Sequence, residues 1–317
     1  MADVYFGSMA VLAPGVSHNW SAGQAMLSFD RPAAPWSAAW FDAKQQLPGV
    51  KHRYLNDASR YSLAASLSCL RSSPSLEWHG AAEERRGVIV GTAVADYAVR
   101  EHYDSSVLSG ETDGLNAISS PNVSANIASA HVSIACHARA FATTLTSPFL
   151  AGFESLAVGF MAVRSGRADA VLAIAAEEAL PAADDQRITP GAIACGLQRQ
   201  PSTAGRRLVD VCWGRHQPSS ARLAKDAERF LAAIAADGTQ VPDWIVIRDR
   251  STPAANTART WLQHARRAGV AVTPRELLIE EAGTVGPLLA AISMITDGKQ
   301  VVLSVIYQSR YVVLFIA

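Results

Sequence analysis

The sequence predicts an α/β fold, and three observations carry that reading. Short β-branched runs such as RGVIVGT (Arg86–Thr92) and DWIVIR (Asp243–Arg248) have the length and residue types of buried strands. Segments with apolar residues at i, i+3 and i+4 lie between such runs. The two kinds of segment alternate along most of the chain.

The elements follow in order. Leu55–Leu70 is an alanine-rich amphipathic helix with Asn56 or Asp57 as N-cap. Arg86–Thr92 is a strand, and Ala95–Tyr103 a helix after it. Pro121–Cys136 has small and apolar residues at helical spacing, with Pro121 suited to a first turn. Phe141–Thr146 is a short β-branched strand. Leu150–Ser165 is a helix, with Leu150, Phe153, Leu156, Ala157, Phe160 and Met161 on one face and Gly166 closing it. Asp169–Ala176 is the next buried strand. Pro181–Arg207 reads as looser chain, broken by Pro and Gly. Asp243–Arg248 is a strand, Asn256–Ala268 an amphipathic helix, Arg275–Glu280 a strand and Gly286–Ile295 a helix. Gln300–Ile306 and Arg310–Ile316 form a hairpin around Tyr307-Gln308-Ser309. A boundary near Gln200–Gln217 divides the chain into residues 1–200 and a shorter 201–317.

The 28 basic and 28 acidic side chains cancel, which argues against nucleic acid or an anionic membrane as the main partner. The N-terminal stretch MADVYFGSMAVLAPG lacks the basic and apolar regions of a signal peptide. No apolar run approaches the ~18 residues of a membrane-spanning helix, so a cytoplasmic protein is expected. Cys69, Cys136, Cys195 and Cys212 show no CxxC spacing, and the histidines show no metal-ligand spacing. Buried reduced thiols, no metal and no cofactor are expected.

One feature points to chemistry. Ala142–Glu178 reads as strand, sharp turn, helix, strand. In many acyl-transferring enzymes a nucleophile stands where such a strand meets such a helix. Here the turn is Ser147-Pro148-Phe149.

Three landmarks over Arg86–Glu178 resemble the β-ketoacyl synthases, which have the thiolase fold. RGVIVGTAVADY is similar to the strand and glycine turn before the first tunnel-lining helix. PNVSANIASAHVSIACHARAFATTLTS is similar to the helix, turn and strand leading to the active-site elbow. LAGFESLAVGFMAVRSGRADAVLAIAAEE is similar to the nucleophile helix, its SGxxD end and the next strand. The resemblance implies a layered α-β-α-β-α fold of two related halves, the second shortened here.

It also implies a nucleophilic cysteine, whose position is taken by Phe149. A phenylalanine cannot accept an acyl group, and Pro148 removes a backbone donor beside it. The family's two histidines are missing as well. The loop matching the first is Asp249-Arg250-Ser251-Thr252-Pro253, and the second position is held by Thr284 in Glu281–Gly286. Tyr307-Gln308-Ser309-Arg310 replaces the glycine-rich gating turn.

A frame without its chemistry resembles a chain-length factor, the silent partner of an active ketosynthase in type II polyketide systems; the shortened second half resembles factors of aryl-polyene clusters. The resemblance then implies a heterodimer working on an acyl carrier protein. Its interface would be the edge strand Phe141, Ala142, Thr143, Thr144, Leu145 and Thr146, helped by Asn126 and Ile127. Tyr97, Arg100 and Asp104 would close the tunnel, with Arg100 and Asp104 as an ion pair on one helical face. Arg85, Arg86, Arg206 and Arg207 are either solvated surface pairs or contacts for an acidic carrier protein.

Two rivals remain open. An active acyltransferase or ketosynthase would use a displaced nucleophile, Cys136 or Ser147. Cys136 precedes His137, but adjacent residues on a helix point apart; Ser147 needs a base, and Cys195 has no visible one. A purely structural partner is the other possibility.

Overall fold

The computed structural model describes residues 3–21, 40–74, 76–111, 115, 117, 120–178, 188–201, 206–217, 221–238, 242–281, 283–295 and 299–317. Along the chain they form β1 (Val4–Ala13), β2 (Val16–Ser21), a one-turn α1 (Ala43–Gln46), α2 (Asp57–Ser72), β3 (Arg86–Thr92), α3 (Tyr97–Ser109), α4 (Ile127–Ala135), β4 (Phe141–Thr146), α5 (Ala151–Arg164), β5 (Ala170–Glu177), β6 (Gly191–Gln198), β7 (Arg207–Arg215), α6 (Arg222–Ala236), β8 (Asp243–Arg248), α7 (Thr252–Arg267), β9 (Pro274–Leu278), α8 (Val285–Met294), β10 (Val301–Tyr307) and β11 (Arg310–Ile316).

The strands join in an 11-stranded sheet ordered β4-β3-β5-β6-β1-β7-β11-β10-β8-β9, with β2 paired to β1. This order contains a repeat. Counted separately and read inward from the two edges of the sheet, β1, β3, β4, β5, β6 and β7, β8, β9, β10, β11 each run 3-2-4-5-1. Orientations repeat too: β3 is parallel to β4 and β5, as β8 is to β9 and β10, and the remaining pairs are antiparallel. Among the described residues, the strand ladders of the two repeats join through Val4↔Leu208 and Tyr5↔Arg207.

Strand alternation sorts the core into layers. Odd-numbered residues of β5 (Val171, Ala173, Ala175) share a core with α5, α8 and the inner faces of β8, β10 and β11. Even-numbered residues (Leu172, Ile174, Ala176) pack with α2 and α4 on the outer side. Trp244, Val246, Val302 and Val313 face α6 and α7 in a third core. Helices α5 and α8 therefore form the central layer between two sheet regions. Phe149, Phe153 and Phe160 are fully buried there.

Several expectations are corrected. Gly191–Gln198, inside the stretch read as loose, is a fully buried central strand; its Gly, Ala and Cys residues lack the β-branching that marks strands, yet pack closely between β5 and β1. Residues 179–187 and 202–205 of that stretch lie outside the described residues. Strands β1, β2 and β7 and helix α6 were not expected. Pro121 sits in a separate 3-10 turn, and the helix begins only at Ile127. Helix α7 starts a turn earlier than read, because Ser251 caps it through the Ala254 N–H, with Pro253 in its first turn.

Candidate functional site

The elbow between β4 and α5 is built on an uncommon backbone. Phe149 has φ 67°, a left-handed conformation rare for a bulky side chain. The Leu150 N–H closes the turn on the Pro148 carbonyl at 2.7 Å. The Phe149 ring is fully buried and stacks on Tyr307, with centroids 5.4 Å apart and planes 21° from parallel. Tyr307, at the end of β10, and the elbow residue Phe149 thus close on each other.

Close packing holds the elbow against its neighbours. A Cβ on Gly91 would lie 2.1 Å from the Ala151 carbonyl oxygen, so the first turn of α5 rests directly on β3. A Cβ on Gly152 would meet both Ala175 Cβ and Thr284 Oγ1 at 2.7 Å. Without it, the Gly152 N–H donates to Thr284 Oγ1 at 2.6 Å. Thr284, at the candidate histidine position, is fully buried at the head of α8, and its own N–H donates to Glu177 Oε1 at 2.8 Å. Its neighbour Ala282 lies outside the described residues.

Glu177 was read from sequence only as part of a motif, but it is a junction. Its fully buried carboxylate accepts from Thr284 N, Ala93 N at 2.8 Å, Val94 N at 3.0 Å and Thr92 Oγ1 at 3.2 Å. Burial pushes it up to about 7, while those donors favour the anion. It ties the turn after β3 to the start of α8.

Ser147 is buried, and its hydroxyl donates to Glu154 Oε2 at 2.7 Å; Arg310 bonds the other carboxylate oxygen. Sequence reasoning missed Glu154 and Arg310. The only signal was the seven-residue step from Ser147 to Glu154 across the elbow. The loop Asp249–Pro253 has no histidine, and Asp249 Oδ1 accepts from Gln308 N at 3.1 Å and Ser251 Oγ at 3.0 Å. His216 lies beside the following helix, 3.2 Å from Thr257 Oγ1.

Cys136 ends α4 in the outer core, apart from the elbow, and burial pushes its thiol up to about 12. His137 turns towards Glu83, its Nδ1 3.6 Å from the carboxylate. Cys195 is buried in β6, and burial raises its thiol strongly. Neither is a ready thiolate. Cys69 and Cys212 are also buried and free.

The candidate interface is an edge. Among the described residues, β4 pairs only with β3. Ala142, Thr143 and Thr146 are exposed, as is Asn126, while Phe141, Thr144, Leu145 and Ile127 are half-buried. Ile134 on the adjoining α4 is 73% exposed. The other edge, β9, begins with Pro274 and carries Arg275 and Glu276, charges that guard a strand edge; β4 has none.

The candidate gate differs from expectation. Tyr97 opens α3 at 38% exposure, but Arg100 pairs with Asp96 at 2.5 Å and not with Asp104. An acid one turn before a base matches the helix dipole better than the reverse order. Arg85 forks onto Asp169 at 2.7 and 3.0 Å, Arg86 bonds the Ala81 carbonyl, Arg206 the Lys299 carbonyl and Arg207 the Asp237 carboxylate. Among the described residues no group of three or more His, Cys, Asp or Glu could hold a metal ion, and no helix is long and apolar enough to cross a membrane.

The repeated sheet, the central pair α5 and α8 and the elbow define a mixed α/β fold of the ketosynthase, thiolase-like class. The model of the beta-ketoacyl synthase N-terminal domain matches residues 17–184, more than half of the chain, which therefore belongs to the β-ketoacyl synthase family. Solved structures share the fold over essentially the full length. One is described as "AntDE:AntF (apo): type II PKS acyl-carrier protein in complex with its ketosynthase bound to the hexaketide": 13% identity, TM-score 0.73, covering 100% of this chain and 99% of that one. Another is the ishigamide ketosynthase/chain length factor: 16% identity, TM-score 0.68, 99% of each chain. A third is a beta-ketoacyl synthase from Burkholderia phymatum STM815: 15% identity, TM-score 0.70, 100% and 99%. No curated protein sequence matches the chain.

Proposed function

We propose that this chain is a catalytically silent, chain-length-factor-like subunit that pairs with an active ketosynthase. The partner would carry out decarboxylative condensation on a carrier-bound acyl chain. This subunit would stabilise the partner and shape the far end of its tunnel.

The carrying observation is the elbow. Where the family places its nucleophile, Phe149 is buried and stacked on Tyr307. Where it places a histidine, Thr284 is engaged with Gly152 and Glu177. A ring against a ring leaves neither a lone pair to attack a thioester nor room for one at that point. The unguarded β4 edge and exposed Ile134 favour pairing with a chain of the same fold. Two of the similar structures are described as a carrier protein with its ketosynthase and as a ketosynthase/chain length factor, which supports partners of those kinds. The finer placement among aryl-polyene systems rests on the shortened second half.

The test is co-expression with a ketosynthase encoded nearby, followed by mass spectrometry of each chain after incubation with acyl and malonyl donors. The expected result is co-purification, with acyl adducts on the partner only. An adduct on this chain alone overturns the reading.

Ser147 gives a second reading its one specific support, because Glu154 accepts its proton at 2.7 Å and could act as a base. An adduct abolished by Ser147→Ala would select it.

A further inference from the structure

The end of β5 sends two consecutive carboxylates to opposite faces of the sheet. Glu177 follows Val171, Ala173 and Ala175 into the central layer; Glu178 follows Leu172, Ile174 and Ala176 to the outer side. There Glu178 is 2% exposed and lies between the amino ends of α2 and α3. Its Oε2 accepts from Ala98 N at 3.2 Å, and the Ala58 N–H also faces the carboxylate. Each N–H belongs to the second residue of its helix. Oε1 has no hydrogen-bond partner among the described residues.

Among the described residues, the surrounding charges do not compensate Glu178. Asp57 and the Tyr61 hydroxyl face it from α2, and Asp96 faces it from the head of α3. The nearby cations serve others: Arg60 bonds Asp57 at 2.8 Å and Arg100 bonds Asp96 at 2.5 Å. Three carboxylates thus share two guanidinium groups, and neither reaches the buried one. Helix α3 has no fully buried side chain. Its buried attachment is at the amino end, through Ala98 N to Glu178 and through Asn56 Nδ2 to the Ala95 carbonyl at 2.8 Å.

We propose that the seating of α3 is proton-linked through Glu178: the neutral acid is accommodated between α2 and α3, and ionisation loosens the amino end of α3. Burial pushes this carboxyl up to about 7, opposed by the Ala98 and Ala58 N–H groups and assisted by Asp57 and Asp96. A folded value above the solvated one stabilises the seated helix at low pH. That contribution is lost as pH rises from the solvated value through about 7, and the loss levels off beyond it. Because α3 carries Tyr97, Arg100 and Asp104, ionisation would also alter the candidate gate. This last consequence rests on the functional proposal; the seating of α3 does not.

The test is hydrogen exchange on the full chain alone, from pH 4.5 to 8.5, corrected for intrinsic rates, with amides of α5 as internal reference. Protection of the α3 amides relative to α5 is expected to fall by up to roughly tenfold per pH unit until about pH 7 and then level off. Glu178→Gln should remove this slope, and Asp57→Asn should bring the plateau to lower pH by removing a like charge. A flat α3 profile in the unmodified chain, or the same slope in Glu178→Gln, overturns the proposal. If Glu178→Gln does not fold, an unmoved plateau in Asp57→Asn overturns it equally. Loss of ketosynthase co-purification would sink the functional reading without touching this result.

Discussion

The Gly152 N–H donates to Thr284 Oγ1 across 2.6 Å, joining the first turn of α5 to the head of α8 over 132 residues of sequence. The two helices begin at matching places in the two repeats of the sheet. Phe149, proposed to stand at the family's nucleophile position, precedes one head, and Thr284, proposed to stand at a histidine position, caps the other. The Phe149–Tyr307 stack and the Gly152–Thr284 bond both join the two repeats.

Thr284→Val should leave the buried Gly152 N–H without a partner. A destabilisation of about 1–3 kcal/mol is expected, while Thr284→Ser should keep the bond and most of the stability. Urea unfolding of both variants checks this; a Thr284→Val variant as stable as the unmodified chain would mean that the hydroxyl contributes nothing.

Phe149→Ala should open a cavity beside Tyr307 and cost roughly 3–5 kcal/mol. Phe149→Cys should give no condensation product, because the Thr284 position and the Asp249–Pro253 loop supply no histidine. Product formation by this variant without a partner would show that another group performs the proton transfers.

The β4 edge should mediate association. Thr144→Lys introduces a charge, and Thr144→Pro removes a backbone donor, where a second strand would pair. Sedimentation with the co-expressed ketosynthase should show the pair for the unmodified chain and separate subunits for both variants. A stable monodisperse monomer of the unmodified chain on its own would count against an obligate pair.

The gate prediction changes with the ion pair found. Arg100 is held by Asp96, so Arg100→Gly should free both the head of α3 and the space beside Tyr97. In the heterodimer, Arg100→Gly or Tyr97→Ala should shift products towards more elongation cycles, while Asp104→Asn should leave chain length alone. Wild-type product lengths in both Arg100→Gly and Tyr97→Ala would leave the subunit a scaffold only.

Local pattern was enough for much of the architecture. The bounds of β3, β4, β8 and β11 were readable because β-branched runs of that length have few alternatives, and α5 was readable from its apolar spacing. The phenylalanine at the elbow was also visible in the sequence, since the position follows from the order of nearby elements. Strand β6 was not readable: its small residues suit a crowded centre between β5 and β1, and that crowding exists only after folding. The Arg100 partner was misassigned because two acids lie within one turn, and the fold holds Asp96 in place. The roles of Glu177 and Glu178 could be decided only by tertiary structure. Periodicity reports which residues share a face a few positions apart, whereas a buried carboxylate is defined by groups brought from elsewhere: Thr92, Ala93, Val94 and Thr284 for one, Ala98 and Ala58 for the other.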